Sequence, residues 1–108
     1  MKLTSSFSGG KLTFCLSGEL DQHATRDVIR TMETRIEAEL PRDCVIDMAG
    51  LTFMDSSGIA LVLKTYRRMN ELDGRLWVEN VPAQPMKVLD ASGIERLIPI
   101  TELAGEKE

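Results

Sequence analysis

The stretch "FMDSSGIALVLKTYRRM", residues 53–69, passes from an apolar run into a helical pattern at Ser56-Ser57-Gly58. Before it, residues 44–48 form the short β-branched run CVIDM, which is typical of a central strand covered on both faces. After it, apolar residues recur every three or four positions as far as about Leu72, which predicts an amphipathic helix from about Ser56. The apolar stripe of that helix consists of Ile59, Val62, Leu63, Tyr66 and Met69.

Further elements are predicted on both sides of this strand–helix unit. Alternating apolar residues predict a hairpin of strands at 2–7 and 11–16, followed by a loop over GELDQHA. A helix at 24–40 has Val28, Ile29, Met32, Ile36 and Leu40 on its apolar face and ends at Pro41. Asp73-Gly74 closes the second helix, with glycine as the left-handed residue. Beyond it we expect a strand at 75–80, a helix at 83–92 followed by Gly93, and an edge strand at 96–100.

This order of elements predicts an α/β fold, in which a mixed sheet has helices packed on it. The length of 108 residues is that of one domain, with residues 104–108 frayed. The formal net charge is −4 and the basic residues are scattered, which argues against a nucleic-acid partner. No secretory signal or long apolar stretch is present in the sequence, so we expect a cytoplasmic protein without a membrane partner.

The sequence contains few residues suited to metal or redox chemistry. Cys15 and Cys44 lie in strand-like runs, and we expect both to be reduced thiols in the core. Two separate cysteines and a single histidine do not form a metal site, and no pattern calls for a cofactor. Tyr66 and Trp77 lie on apolar patterns and are expected in the core or at its margin.

The serines at 56 and 57 admit several interpretations. Asp55 or Ser56 can cap the helix through a side-chain oxygen, but capping explains neither Ser57 nor Gly58. A hydrolase nucleophile needs a base, and the chain offers only His23 and lacks the G-x-S-x-G pattern, while no phosphate-binding loop motif occurs. The remaining chemical use is phosphorylation of Ser57. We therefore expect Ser56 and Asp55 to cap the helix, Ser57 to accept the phosphate and Gly58 to leave room for the approaching kinase.

Three segments together resemble the STAS domain of the anti-sigma factor antagonists: SGELDQHA at 17–24, the stretch at 45–69, and VLDASGIERLIPI at 88–100. The resemblance implies a four- to five-stranded mixed sheet and a binding protein that is not an enzyme. It implies that the unphosphorylated form binds an anti-sigma factor serine kinase and frees its sigma factor. Phosphorylation of Ser57 then ends the binding, and a PP2C-type phosphatase restores it.

The resemblance also implies which residues surround the acceptor serine. The partner-binding residues would be Asp21, Met54, Asp55, Ser56, Gly58 and Ile59. Without the resemblance, Asp21 reads as a carboxylate at a helix start, and His23 reads as an exposed residue there. The sporulation type is favoured over the general-stress type, although Gln22 stands where a second histidine is frequent. The alternative function is a constitutive STAS interaction module, associated with a transporter or a scaffold, in which the serines only cap the helix.

Overall fold

The computed structural model describes residues 1–104, in which the elements follow the predicted order. The described range forms β1 (Lys2–Ser8), β2 (Lys11–Leu20), α1 (Gln22–Glu39), β3 (Asp43–Met54), α2 (Ser57–Glu71), β4 (Arg75–Val81), α3 (Ala83–Ser92), a 3-10 turn (Ile94–Arg96) and β5 (Ile100–Glu102). The predicted fraying of residues 104–108 lies outside the described residues except for Ala104, which is exposed in a turn. No helix within residues 1–104 is long and apolar enough to span a membrane.

The sheet is mixed, as predicted, with the strand order β1-β2-β3-β4-β5. β1 pairs antiparallel with β2, and each later pair is parallel. Right-handed crossovers that all advance in the same direction place α1, α2 and α3 on one face of the sheet. The core between sheet and helices includes Leu12, Phe14, Ile46, Met48, Val78, Met32, Leu61 and Leu89.

The face of the sheet away from the helices is partly open, and this corrects one prediction. Cys44 is buried on the helix side, where burial raises the pKa of its thiol to about 12. Cys15 is exposed, because it alternates with Phe14 and Leu16 and so points to the uncovered face. Trp77 lies half-buried on that face and donates to Glu79 Oε2 at 3.2 Å, outside the main core.

β2 and β3 are longer than their apolar runs predict. β2 reaches Leu20, so that the predicted loop begins only at residue 21, and β3 reaches Met54. The two strands stay paired to their ends, through Leu20 and Met54, across a bulge near Gly18, whose φ is +94°. The ends of both strands lack a continuous apolar run, because polar or small residues separate the buried Leu20, Leu51 and Met54 from the apolar runs before them. The extension brings the two following helix starts to one edge.

Helix ends and the last strand also differ from the predictions in detail. α1 ends at Glu39. Leu40 takes a left-handed conformation and is exposed, instead of lying on the apolar face of the helix as predicted. After α2, Asp73 takes the positive φ instead of Gly74, whose missing Cβ makes room for the Arg42 carbonyl oxygen. Gly93 is left-handed after α3, at φ +75°. The edge strand follows Pro99 instead of containing it.

Candidate functional site at the helix starts

Two helix N-termini meet at the carboxyl edge of the sheet. β2 and β3 are parallel neighbours, so their ends and the helices that follow them lie side by side. The backbone N–H of Asp55 donates to the carbonyl oxygen of Leu20 at 3.2 Å and fixes the two ends together. Asp21 at the start of α1 and the serines at the start of α2 therefore share one region.

Asp21 is the N-cap residue of α1. Its backbone is extended, and its Oδ1 accepts from the Ala24 N–H at 2.9 Å. The structure thus supplies the helix-start role that the sequence predicts for this carboxylate. His23 lies exposed in the same turn.

Asp55 connects the two helix starts through both carboxylate oxygens. Oδ2 accepts from the Gln22 N–H of α1 at 3.0 Å, and Oδ1 accepts from the Ser57 N–H of α2 at 2.9 Å. The Ser57 hydroxyl also donates to Oδ1 in a short contact. This hydroxyl, followed by the two amides, holds the pKa of Asp55 below its ordinary value, against the opposing effect of partial burial. Asp55 is therefore charged near neutral pH and accepts a hydrogen bond from the hydroxyl of Ser57, the candidate phosphoacceptor.

Ser57 is the first residue of α2 and is half-buried. Its Oγ lies 2.8 Å from the Oγ1 of Thr25, a buried residue of α1. Within the described residues, the recorded side-chain partners of this hydroxyl are Asp55 and Thr25, so the structure provides no histidine base beside it. Sequence reasoning missed Thr25, although its spacing of three from Val28 extends the buried stripe of α1.

Ser56 does not cap α2, which corrects the hypothesis that it does so with Asp55. It occupies the N-cap position but has helical dihedrals, φ −65° and ψ −15°, and its side chain makes no capping hydrogen bond within residues 1–104. The dihedrals turn its side chain away from the first-turn amides, which an extended cap residue would reach. Asp55 alone supplies the cap, and Ser56 is exposed.

Met54 and Gly58 lie inside the protein, so two of the predicted partner-binding residues are not on the surface. Met54 is fully buried, and its side chain packs directly against Gly58. A Cβ at position 58 would lie 2.5 Å from Met54 Sδ. The missing side chain of Gly58 therefore makes room for Met54 and not for an approaching molecule. The side chain of Gln84, also missed by sequence reasoning, bonds both the N–H and the C=O of Met54, at 2.8 and 2.9 Å.

An open groove of about 480 Å³ lies next to the serines, between the start of α2 and α3. Ile59 and Ser56 form one wall, and α3 forms the other. Its lining residues include Ser56, Ile59, Gln84, Lys87, Val88 and Ala91. Ile59 is half-buried and packs against the core with part of its side chain, so an apolar surface continues from the core to the groove. In the part of the chain that the structure describes, no three potential metal ligands cluster.

Comparison with known proteins identifies the family. Residues 3–105 match the STAS domain family. The chain belongs to this family. This STAS domain is 35% identical over 91 residues to the anti-sigma F factor antagonist of Paenibacillus polymyxa, covering 84% of this chain and 78% of the relative. It is 24% identical over 87 residues to an anti-sigma-B factor antagonist of Staphylococcus epidermidis, covering 81% and 80%.

Solved structures show the same fold. The anti-sigma factor antagonist SpoIIAA in its unphosphorylated form superposes with a TM-score of 0.80 at 27% identity, covering 92% of this chain and 87% of that one. The Bacillus protein SpoIIAA in its phosphorylated form gives 0.70 at 29% identity, covering 92% and 90%. The predicted resemblance and the predicted α/β fold of STAS type are confirmed.

Proposed function

We propose that this STAS domain is an anti-sigma factor antagonist controlled by phosphorylation of Ser57. Its unphosphorylated form binds an anti-sigma factor serine kinase and frees the sigma factor, and the phosphorylated form no longer binds. A PP2C-type phosphatase resets the switch in the cytoplasm. The observation that carries the proposal is the position of Ser57: a half-buried hydroxyl at the first residue of α2, beside an apolar groove. Relatives that are named antagonists, and the phosphorylated form of SpoIIAA, support it.

The electrostatics of the site explain why a phosphate would act on binding rather than on folding. The first amides of α2 are already paired, since Ser57 N–H donates to Asp55 Oδ1 at 2.9 Å and Gly58 N–H donates to the Asp55 carbonyl at 3.0 Å. A phosphate on Ser57 therefore finds few free donors at the helix end and faces the charged Asp55. It carries a charge of roughly −1.5 to −2 at pH 7, which favours an outward position in water. Burial of that charge under a partner would be strongly unfavourable.

The proposed partner surface consists of Asp21, Asp55, Ser56 and Ile59 around Ser57. Ser56 and Ile59 offer exposed and half-buried contacts at the groove, while Asp21 and Asp55 supply negative charge at the helix starts. Met54 and Gly58 support this surface from below, since both are buried. The six residues of the resemblance thus divide into four that a partner can reach and two that hold the acceptor loop in place.

Phosphorylation transfers one phosphoryl group and consumes one ATP. Ser57 Oγ forms a bond to the γ-phosphorus, the bond from that phosphorus to the bridging oxygen breaks, ADP leaves, and the hydroxyl proton is released to solvent. The test is intact-mass and peptide mass spectrometry after incubation with the candidate anti-sigma factor and ATP. We expect one phosphate on Ser57 in the wild type and in Ser56→Ala, and none in Ser57→Ala.

Binding measurements complete the test. Ser57→Asp should weaken binding to the anti-sigma factor at least about 100-fold, because several kcal/mol oppose burial of the charge and about 1.4 kcal/mol corresponds to tenfold in affinity. Ser57→Ala should keep full affinity in the presence of ATP. Equal affinities for wild type, Ser57→Ala and Ser57→Asp would contradict the switch. Tight binding without any phosphorylation would instead indicate a constitutive STAS module.

The pathway follows from the choice of anti-sigma factor. Identity is higher to the anti-sigma F antagonist, at 35%, than to the anti-sigma-B antagonist, at 24%, so we propose the sporulation type. Titration of the protein against both anti-sigma factors under identical conditions decides between them. Preference for the anti-sigma-B factor would move the protein to the general-stress type and leave the role of Ser57 unchanged.

A further inference from the structure

Thr25 and Ser57 share a chain of hydroxyl contacts at the helix starts. Thr25 is 5% exposed, and its Oγ1 donates to the carbonyl oxygen of Asp21 at 2.7 Å and lies 2.8 Å from Ser57 Oγ. Ser57 Oγ in turn contacts Oδ1 of Asp55. The contacts thus run from a backbone carbonyl on α1 to a carboxylate at the start of α2.

Counting protons limits how these contacts are made. The carbonyl of Asp21 and the charged carboxylate of Asp55 only accept, and the two hydroxyls together supply two protons for three contacts. A hydrogen bond to a charged acceptor is stronger than one to a neutral carbonyl. The Ser57 proton therefore stays on the bond to Asp55, and the contact between the hydroxyls is filled when Thr25 turns its proton from Asp21 to Ser57.

This arrangement fixes the geometry of the Ser57 oxygen. Its own proton points at Asp55, and when Thr25 turns its proton from Asp21 to Ser57 one lone pair accepts from Thr25, so a second lone pair is left for an incoming electrophile. We propose that Thr25 is a positioning residue, which holds Ser57 Oγ in one rotamer with that lone pair free for phosphoryl transfer. The inference rests on the proposed function and adds a residue of α1 to the phosphorylation site. Thr25 acts through Ser57 and not on the phosphoryl group.

The chain offers a matched control in Thr65. Thr65 is also a buried helical threonine, 6% exposed, whose hydroxyl donates to the carbonyl four residues earlier, on Leu61, at 2.9 Å. It lies about two turns along α2 from Ser57. Thr25→Val and Thr65→Val therefore each remove a hydroxyl from a buried helical threonine, but only Thr25→Val removes a contact to Ser57.

The kinetic test measures phosphorylation by the anti-sigma factor at saturating ATP over a range of antagonist concentrations. We expect Thr25→Val to lower kcat about tenfold with KM nearly unchanged, because misplacement of a reacting atom slows the chemical step without removing a binding contact. Thr65→Val should match the wild type, and Thr25→Ser should restore most of the rate. A Thr25→Val rate equal to that of Thr65→Val, or faster, would overturn the proposal. If Thr25→Val does not fold, Thr25→Ala serves in its place.

A second measurement is independent of the kinase. The three-bond Hα–Hβ couplings of Ser57 report its χ1 rotamer in solution. We expect a single rotamer in the wild type and in Thr65→Val, and rotamer averaging in Thr25→Val. Averaging in the wild type, or an unchanged rotamer in Thr25→Val, would overturn the proposal. If the wild type is not phosphorylated, the proposed function fails, and the couplings alone decide whether Thr25 holds Ser57.

Discussion

The starts of α1 and α2 lie side by side but are built differently. α1 begins with its own cap: Asp21 is extended and accepts from an amide three residues ahead. α2 begins with Ser56, a favourable cap residue that has helical dihedrals and makes no capping bond within the described chain. The Ser57 amide at the start of α2 donates to Asp55, which also accepts from the Gln22 amide at the start of α1. The start of α1 therefore has its own cap and a second acceptor from a distant residue, whereas, among residues 1–104, the start of α2 depends on Asp55 alone for a side-chain acceptor.

This difference separates stability from function at the serine pair. Because Asp55 supplies the cap, neither serine has to satisfy the helix end, and Ser56 is left exposed to solvent. A phosphate on Ser57 would then remove the hydroxyl that donates to Asp55 without removing the hydrogen bond from the Ser57 backbone amide to Asp55. The helix start should survive a modification that a serine cap would not.

Replacement of Asp55 should have the largest effect on stability, because it removes a side-chain acceptor from both helix starts. Asp55→Ala should lower the free energy of unfolding by about 2 kcal/mol, the upper end of the range for a lost cap. Denaturant unfolding measures it. Asp27→Ala is the control, since its ion pair with Arg30 is long and exposed and should contribute little. A loss for Asp55→Ala no larger than the control would mean that the bridge does not stabilise the starts.

Replacement of Asp21 tests the local cap alone. Asp21→Ala leaves the amide of Ala24 without its side-chain acceptor and should cost about 1 kcal/mol in the free energy of unfolding. The same denaturant experiment measures this. Asp21→Asn, which keeps an acceptor oxygen, should recover most of the loss. If Asp21→Asn is as destabilised as Asp21→Ala, the carboxylate charge and not the capping bond is what matters.

The pKa of Asp55 tests separately which of the two serines donates to this carboxylate. The Ser57 hydroxyl is the largest cause of its lowered pKa, so Ser57→Ala should raise the pKa toward the ordinary value of 3.8. Because the folded pKa is lowered, Asp55 stabilises the fold above its unfolded pKa, and this contribution is lost as the pH falls through the folded value. Titration of the Asp55 carboxyl carbon by NMR measures the change. Ser56→Ala should leave the titration unchanged, and an equal shift in both variants would contradict the assignment of the donor.

Replacement of Ser56 should have the smallest effect. Since its side chain caps nothing in the described structure, Ser56→Ala should change the free energy of unfolding by less than about 0.5 kcal/mol, as for an ordinary surface site. Comparison with Asp21→Ala in one unfolding series gives the contrast directly. A loss of 1 kcal/mol or so in Ser56→Ala would restore the serine cap that the sequence predicts.

The sequence is informative about the fold because apolar spacing records which face of each element is buried. The stripe from Ile59 to Met69 predicts α2, and the order of strands and helices predicts the mixed sheet. Spacing does not record what covers the other face of a sheet, which is why Cys15 was expected in the core. Spacing also fails to predict the ends of β2 and β3, where polar or small residues interrupt the apolar pattern.

The site is predictable only in part for a related reason. Ser57 and Asp55 stand out because small polar residues and a glycine interrupt an apolar run at a strand–helix junction. The contacts to Thr25 and Gln22 join residues far apart in sequence, and they depend on the register with which β2 and β3 end together. No local pattern specifies that register, so the sequence predicts the candidate phosphoacceptor but not the groups that contact it.

The amide of Gln84 acts on Met54 much as a neighbouring strand would. β4 pairs with β3 only from Asp43 to Asp47, which leaves the later part of that long strand beyond the reach of its neighbour. Gln84 bonds both the N–H and the C=O of Met54, as one residue of a paired strand does. An unpaired buried backbone group is costly, so the side chain of Gln84 lets β3 end inside the protein without a further strand beside it.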